Sequence, residues 1–409
     1  MNDGAHMRDK RLDALRGFFL ISMAGMHVPS PMSDLLRDSF GYSSAAEGFI
    51  FLSACLAGLV YGRTYARSDW PTMARRVWNR VKRIYWVHLG VIIPAVLTAW
   101  LFAGRIVPLA NHFHDFLVHP WGALALIPLL LHQPPLFDIL PLYVLGLGVT
   151  PWLLAIARRR GWRPILVVSA LVWLLEQVLF LGNFHVVNDP AQWLPFRWGS
   201  FDPFAWQLLW IGGLALGETA IRQPGPRVAP EHRVRFMAPA LAALLVCFLL
   251  RHFTSPTGWL STHADVWSDK WTLGPLRLLD FGAWVALMLA WNPRPPEWVL
   301  MPTALLGRHS LAVFAFHLPL VITAVTIIQV YALSNTGQVL VSLTVIALLY
   351  PWVMWLERDR RQAIRVPATA DALPRLPLRT RSTAGETFPA AGVRPLFPKA
   401  RGAARTVHA

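Results

Sequence analysis

The stretch SLAVFAFHLPLVITAVTIIQVYA, residues 310–332, contains no Asp, Glu, Lys or Arg. Its length decides the fold. A helix needs about 20 mostly apolar residues to cross roughly 30 Å of hydrocarbon. In hydrocarbon every backbone N–H and C=O must be satisfied internally, and a single segment can do that only as a helix. Nine further blocks read the same way: 13–29, 45–62, 84–103, 136–157, 164–181, 206–221, 236–253, 275–292 and 338–356. The fold expected is therefore all-α, a polytopic transmembrane helical bundle of about ten spans filling residues 1–357. The apolar run 121–133 is too short to cross and is expected to lie at the interface or to dip in and return. Residues 358–409 are basic, rich in Pro and Ala and without hydrophobic periodicity, so a disordered tail is expected there.

Composition agrees. Of 409 residues 55% are hydrophobic and 15% charged, against about 25% charged in ordinary soluble domains. The formal net charge of +16 would suggest nucleic acid in a soluble protein. Here the cations sit in short loops between apolar blocks, and a membrane accounts for them. Cys55 and Cys247 both fall inside apolar blocks, too few and too buried for a disulfide framework or a zinc site. The start, Met1 to Arg11, is polar and basic like a signal peptide, but no small-residue cleavage site follows, so an uncleaved first span is expected.

Loop charge sets the orientation. Arg63, Arg67, Arg75, Arg76, Arg80, Lys82 and Arg83 lie between the second and third blocks; Arg158, Arg159, Arg160 and Arg163 follow the fourth. Arg222, Arg227, Arg233 and Arg235 follow the sixth, and Arg358, Arg360, Arg361 and Arg365 the tenth. The alternate loops hold Arg37, Arg105, Arg197 and Lys270. Cations gather in cytoplasmic loops, which places both termini in the cytoplasm. No internal repeat is visible, so an inverted-repeat transporter has no support.

Ionisable residues inside spans are costly and point to function. Arg16 and His27 are eleven positions apart in the first block, about 16 Å and three turns, so they share one helix face. Asp13 is one turn before Arg16 and can pair with it. Arg16 is either functional or a snorkelling anchor at the cytoplasmic end; His27, near the outer leaflet, is either functional or a bystander. Glu47 opens the second block at a matching depth. Beside His27 it would fix the imidazole tautomer and make a general base able to take a proton from a hydroxyl. Equally, it reads as a carboxylate at a helix N-terminus, stabilised by the dipole. Asp138 opens the fourth block. Arg277 and Asp280, spaced i and i+3, are site residues or neutralise each other. His317 precedes Pro319, which frees backbone groups and suggests a cavity or kink; alternatively it bonds a neighbouring helix. His112, His114, Asp115 and His119 have a metal-like look but no fixed geometry, and no metal is expected.

The run Arg11-Leu12-Asp13-Ala14-Leu15-Arg16-Gly17, ending at His27, resembles the opening of membrane acyltransferases of the acyltransferase family 3 superfamily, in which an arginine, ten residues and a histidine recur. Further blocks resemble its OpgC-type branch, the succinyltransferases of osmoregulated periplasmic glucans: FGYSSAAEGFIFLS (40–53), HQPPLFDILPLY (132–143), DPFAWQ (202–207), LGPLR (273–277) and LGRHSL (306–311). Met26 stands where the family often has Asp or Asn, and Ala54 where it often has Gly.

The resemblance implies a bacterial inner-membrane O-acyltransferase. It would move a succinyl or other short acyl group from cytoplasmic acyl-CoA (succinyl-CoA on this reading) to a hydroxyl of a periplasmic glucan. His27 would be the general base, oriented by Glu47. Arg11 and Arg16, with the basic loop 63–83, would meet the CoA phosphates. Asp138, Gln207, Arg277 and His317 would bind substrate, with Arg277 on the distal carboxylate of a succinyl group. Expected partners are acyl-CoA, the glycan acceptor and the lipid bilayer, with no nucleic acid; a homo-oligomer is compatible. Two rival readings are a carrier or flippase using the same buried charges, and a membrane scaffold for a glycan synthase.

Overall fold

In the computed structural model the described residues are 10–38, 41–181, 199–223, 228–253, 266–293 and 295–365. Their regular structure is helical. In chain order the helices are α1 (Lys10–His27), α2 (Pro31–Asp38), α3 (Ala45–Arg67), α4 (Trp70–Phe102), α5 (Val107–His112), α6 (His114–Val118), α7 (Pro120–Leu126), α8 (Ile139–Arg160), α9 (Arg163–Leu181), α10 (Pro203–Arg222), α11 (Arg233–Phe253), α12 (Pro275–Trp291), α13 (Glu297–Arg308), α14 (Ser310–Val330) and α15 (Asn335–Arg365). The described residues up to Asp359 form one compact unit.

Each of the ten apolar blocks is a helix. Eight of these helices, α3, α4, α8, α9, α10, α11, α14 and α15, are long and apolar enough to cross a membrane. The other two, α1 and α12, carry charge: Asp13 and Arg16 in α1, Arg277 and Asp280 in α12. The membrane face is visible on α9, where Val167, Leu171, Leu175 and Val178 are each 58% exposed. Such a row would be unfavourable in water and matches lipid.

Local chemistry explains the boundaries. Ser44 and Glu47 form a reciprocal capping box that starts α3. Asp69 caps α4 and Asp202 caps α10, the latter ahead of Pro203 at the first helical position. Gly161, at φ 76°, ends α8. The basic stretch expected as a loop, 63–83, is mostly helix. Helix α3 continues to Arg67, and α4 begins at Trp70 after the short Ser68-Asp69 turn. Pro71 falls in the first turn of α4, where a missing N–H is tolerated, and Arg and Lys propagate a helix well. At 33 residues, α4 is about 50 Å long and exceeds the hydrocarbon thickness. At the other end α15 runs on to Arg365, so the first residues assigned to the tail are helical; residues 366–409 lie outside the described residues.

Small residues let helices touch backbone to backbone. A Cβ on Gly217 of α10 would lie 1.9 Å from the carbonyl oxygen of Cys55 in α3. One on Gly307 of α13 would lie 1.8 Å from the carbonyl oxygen of Asp13, and one on Gly17 equally close to that of Thr303. In lipid, close van der Waals packing of this kind replaces the hydrophobic drive between helices. It seats charged α1 in the interior against α13, with α3 and α14 also packed on it. Arg308 adds an ionic contact to Asp13, at 3.9 Å.

Candidate active site

Among the described residues seven element ends converge on one cavity: the C-termini of α1, α2 and α11 and the N-termini of α3, α8, α10 and α12. The arginine-rich ends of α3, α8 and α10 lie at the far end of those helices. The cavity holds about 370 Å³ and includes His27, Asp138, Arg37, Arg251, Lys270 and Arg277 in its wall. Among the described residues four cations thus face one lining carboxylate. Met26 also lines it.

His27 ends α1, and its ring stacks on that of His317 at 5.8 Å between centroids and 18° between planes. His317 is 1% exposed. Its Nδ1 donates to the carbonyl of Phe314 at 2.6 Å, which fixes the neutral tautomer with Nε2 as an acceptor. That Nε2 and Nδ1 of His27 are both buried and find no hydrogen-bond partner among the described residues. Pro319 lies one half-turn beyond within the helix. The residue pair His27–His317 is thus a polar island with two ring nitrogens left to bond water or a ligand.

Glu47 does not pair with His27 as expected from depth alone. It is fully buried, and Arg277 Nη1 donates to its Oε1 at 2.7 Å. Its Oε2 accepts from the Ser44 amide at 2.9 Å and the Ser44 hydroxyl at 2.6 Å. The helix-start reading of Glu47 describes its geometry, with Arg277 added by the tertiary fold. Arg277 also donates through Nε to the Ser268 carbonyl at 3.1 Å. It does not neutralise Asp280: that carboxylate accepts from the Ser43 amide at 2.8 Å and from the Ser43 hydroxyl. The ends of α3 and α12 are thereby laced together across the sequence.

Asp138 is 5% exposed, and its Oδ2 accepts from the Ser200 amide at 2.6 Å. Gln207 is not at the site. Its amide is consumed by Ser169 of α9, donating to the carbonyl at 2.8 Å and accepting from the hydroxyl at 2.7 Å. It joins α10 to α9, and the correction follows from helix phase: Trp206 is buried on one side while Gln207 turns towards α9. Arg11 lies far from the cavity, its Nη1 donating to the Asn292 side chain at 2.9 Å. Arg16 places its guanidinium 5.9 Å from the centre of the Phe49 ring, a cation–π distance. His114 lies 3.7 Å from Asp115.

Sequence reasoning missed Lys270, Arg37 and Arg251 as site residues. All three were read for topology or not at all, because they lie outside the apolar blocks or at their ends. Lys270 places its ammonium 5.0 Å over the Phe201 ring. Burial pulls it below the usual lysine range, opposed in part by the Glu47 and Asp138 carboxylates.

The family model described as OpgC protein matches residues 8–361. No curated protein and no solved structure matches the chain. Spanning most of the sequence and every helix that builds the cavity, the match means that the chain belongs to the OpgC protein family, membrane proteins with a transferase role in modifying periplasmic glucans.

Proposed function

We propose that the protein is an inner-membrane O-succinyltransferase that takes its acyl group from cytoplasmic acyl-CoA and passes it to a glucan hydroxyl on the periplasmic side. One observation carries the reading: His27 lines a cation-rich cavity with a ring nitrogen uncommitted, backed by a second histidine. The arginine-rich helix ends face away from that cavity, and the positive-inside rule puts them in the cytoplasm. The cavity then opens towards the periplasm, where the acceptor is.

The chemistry needs one base and one path. His27 takes the proton of the sugar hydroxyl as its oxygen attacks the thioester carbonyl. A C–O bond forms, the C–S bond breaks, and the CoA thiolate leaves and is protonated. His317, held by the Phe314 carbonyl, keeps the imidazole of His27 in place by stacking and offers Nε2 to the substrate. Glu47 acts at one remove, by fixing Arg277 in the wall. Asp138 accepts a sugar hydroxyl. Arg16 and Arg11, on the cytoplasmic half of α1, and the basic ends of α3 and α4 meet the CoA phosphates.

Mass spectrometry of periplasmic glucans from cells with the protein, without it, and with His27→Ala tests this. A succinyl-sized increment present only with the intact protein is expected. Glucans identical in all three would sink the reading and favour a carrier or a different acceptor.

A further inference from the structure

We propose that Lys270 holds the distal carboxylate of the acyl group and so sets the preference for a dicarboxylic over a simple acyl donor. The inference rests on the acyl-transfer reading above and deepens it. Arg277 is the obvious rival from the sequence, but its guanidinium already has a carboxylate, Glu47, at 2.7 Å. Its charge is matched before any substrate arrives, and a second anion beside it would meet Glu47 as well. Lys270 differs. Among the described residues no carboxylate lies within ion-pair distance of its ammonium, whose close contact is the face of Phe201 at 5.0 Å. It lines the same cavity as His27, which a four-carbon dicarboxylic acyl group must reach with its thioester end.

The wall supports the charge argument. Arg37 and Arg251 also line the cavity, and among the described residues Asp138 is the carboxylate that lines it, engaged by the Ser200 amide. Cations lining a partly enclosed cavity favour an anion more than a surface cluster does. The direction of the Lys270 shift agrees, because burial disfavours its charged form more than the surrounding carboxylates restore it. A ligand carboxylate would supply the missing compensation as a charge-assisted hydrogen bond. Lysine is suited to this as a compact point charge on a flexible stem.

The test compares succinyl-CoA and acetyl-CoA as donors with the full chain in proteoliposomes, for the parent, Lys270→Met, Lys270→Arg and His27→Ala. Loss of one charged hydrogen bond should lower the succinyl-to-acetyl rate ratio of Lys270→Met roughly 10- to 100-fold, with Lys270→Arg recovering much of it. An unchanged ratio in Lys270→Met overturns the inference while leaving acyl transfer intact. A His27→Ala protein as active as the parent overturns the acyl-transfer reading instead. A second measurement stands apart from activity: succinate, and not succinamide, should slow reductive methylation of Lys270 in the parent. Equal labelling with and without succinate would also overturn the inference.

Discussion

Arg277 Nη1 meets Glu47 Oε1 at 2.7 Å inside the protein, with the two side chains 13% and 0% exposed. The pair ties the start of α12 to the start of α3 across most of the chain. A buried ion pair of this kind adds little net stability over an apolar replacement, but losing one partner strands the other charge. Glu47→Ala should therefore cost about 3–5 kcal/mol in thermal stability of the detergent-solubilised protein. Glu47→Ala with Arg277→Met should cost clearly less than the sum of the single changes. Additive costs would show that the two residues do not act as a unit.

The histidine pair separates two contributions. His27→Ala should lower turnover by about 10²- to 10⁴-fold, the range for removing a general base, with the acceptor KM little changed. His317→Phe keeps the ring that stacks on His27 but removes Nε2. It should lower turnover less, and should leave the fold intact in size-exclusion profiles. If His317→Phe matches the parent in turnover, only the stacking face of His317 matters.

The contact of α1 with α13 depends on the absence of side chains. A Cβ at Gly307 would stand 1.8 Å from the Asp13 carbonyl oxygen, so Gly307→Leu must push the helices apart. Overpacking of this sort costs about 1–3 kcal/mol or more. Arg16 and His27 ride on α1, so Gly307→Leu should reduce both melting temperature and transfer. A fully stable, fully active variant would mean that α1 can move without disturbing the site.

The helices were legible in the sequence because block length is a one-dimensional quantity, and lipid demands it. His27 and Arg16 were legible because charge inside an apolar block stands out. The partner of Glu47 was not: the fold brings the start of α12 beside the start of α3, where Arg277 meets Glu47 and Phe281 meets Phe51, and no spacing encodes that. Glu47 was legible as a carboxylate at a helix start, while the fold adds Ser44 as its capping partner three residues before. Lys270 was invisible for the opposite reason. A lysine in a loop looks like a topology marker, and only the fold turns it inward over Phe201. The basic run 63–83 looked like a loop because charge was taken to mean surface, yet arginine and lysine are good helix formers. Long charged helix ends outside the hydrocarbon satisfy both rules.

Gln207 supplies the last prediction, because it separates resemblance from geometry. It belongs to the block DPFAWQ, which resembles the family, and on that ground it was expected to bind substrate. In the fold its side-chain amide makes both of its hydrogen bonds with Ser169, at 2.8 Å and 2.7 Å. Each such bond is worth about 1 kcal/mol net, and a buried partner left unsatisfied costs more. Gln207→Leu should therefore lower thermal stability by about 1–3 kcal/mol, and Ser169→Ala by somewhat less because the Ser169 carbonyl keeps its donor. Neither change should alter the acceptor KM or the succinyl-to-acetyl ratio in folded protein. A Gln207→Leu protein of normal stability with a raised acceptor KM would return the residue to the site, and would require α10 to turn during the reaction.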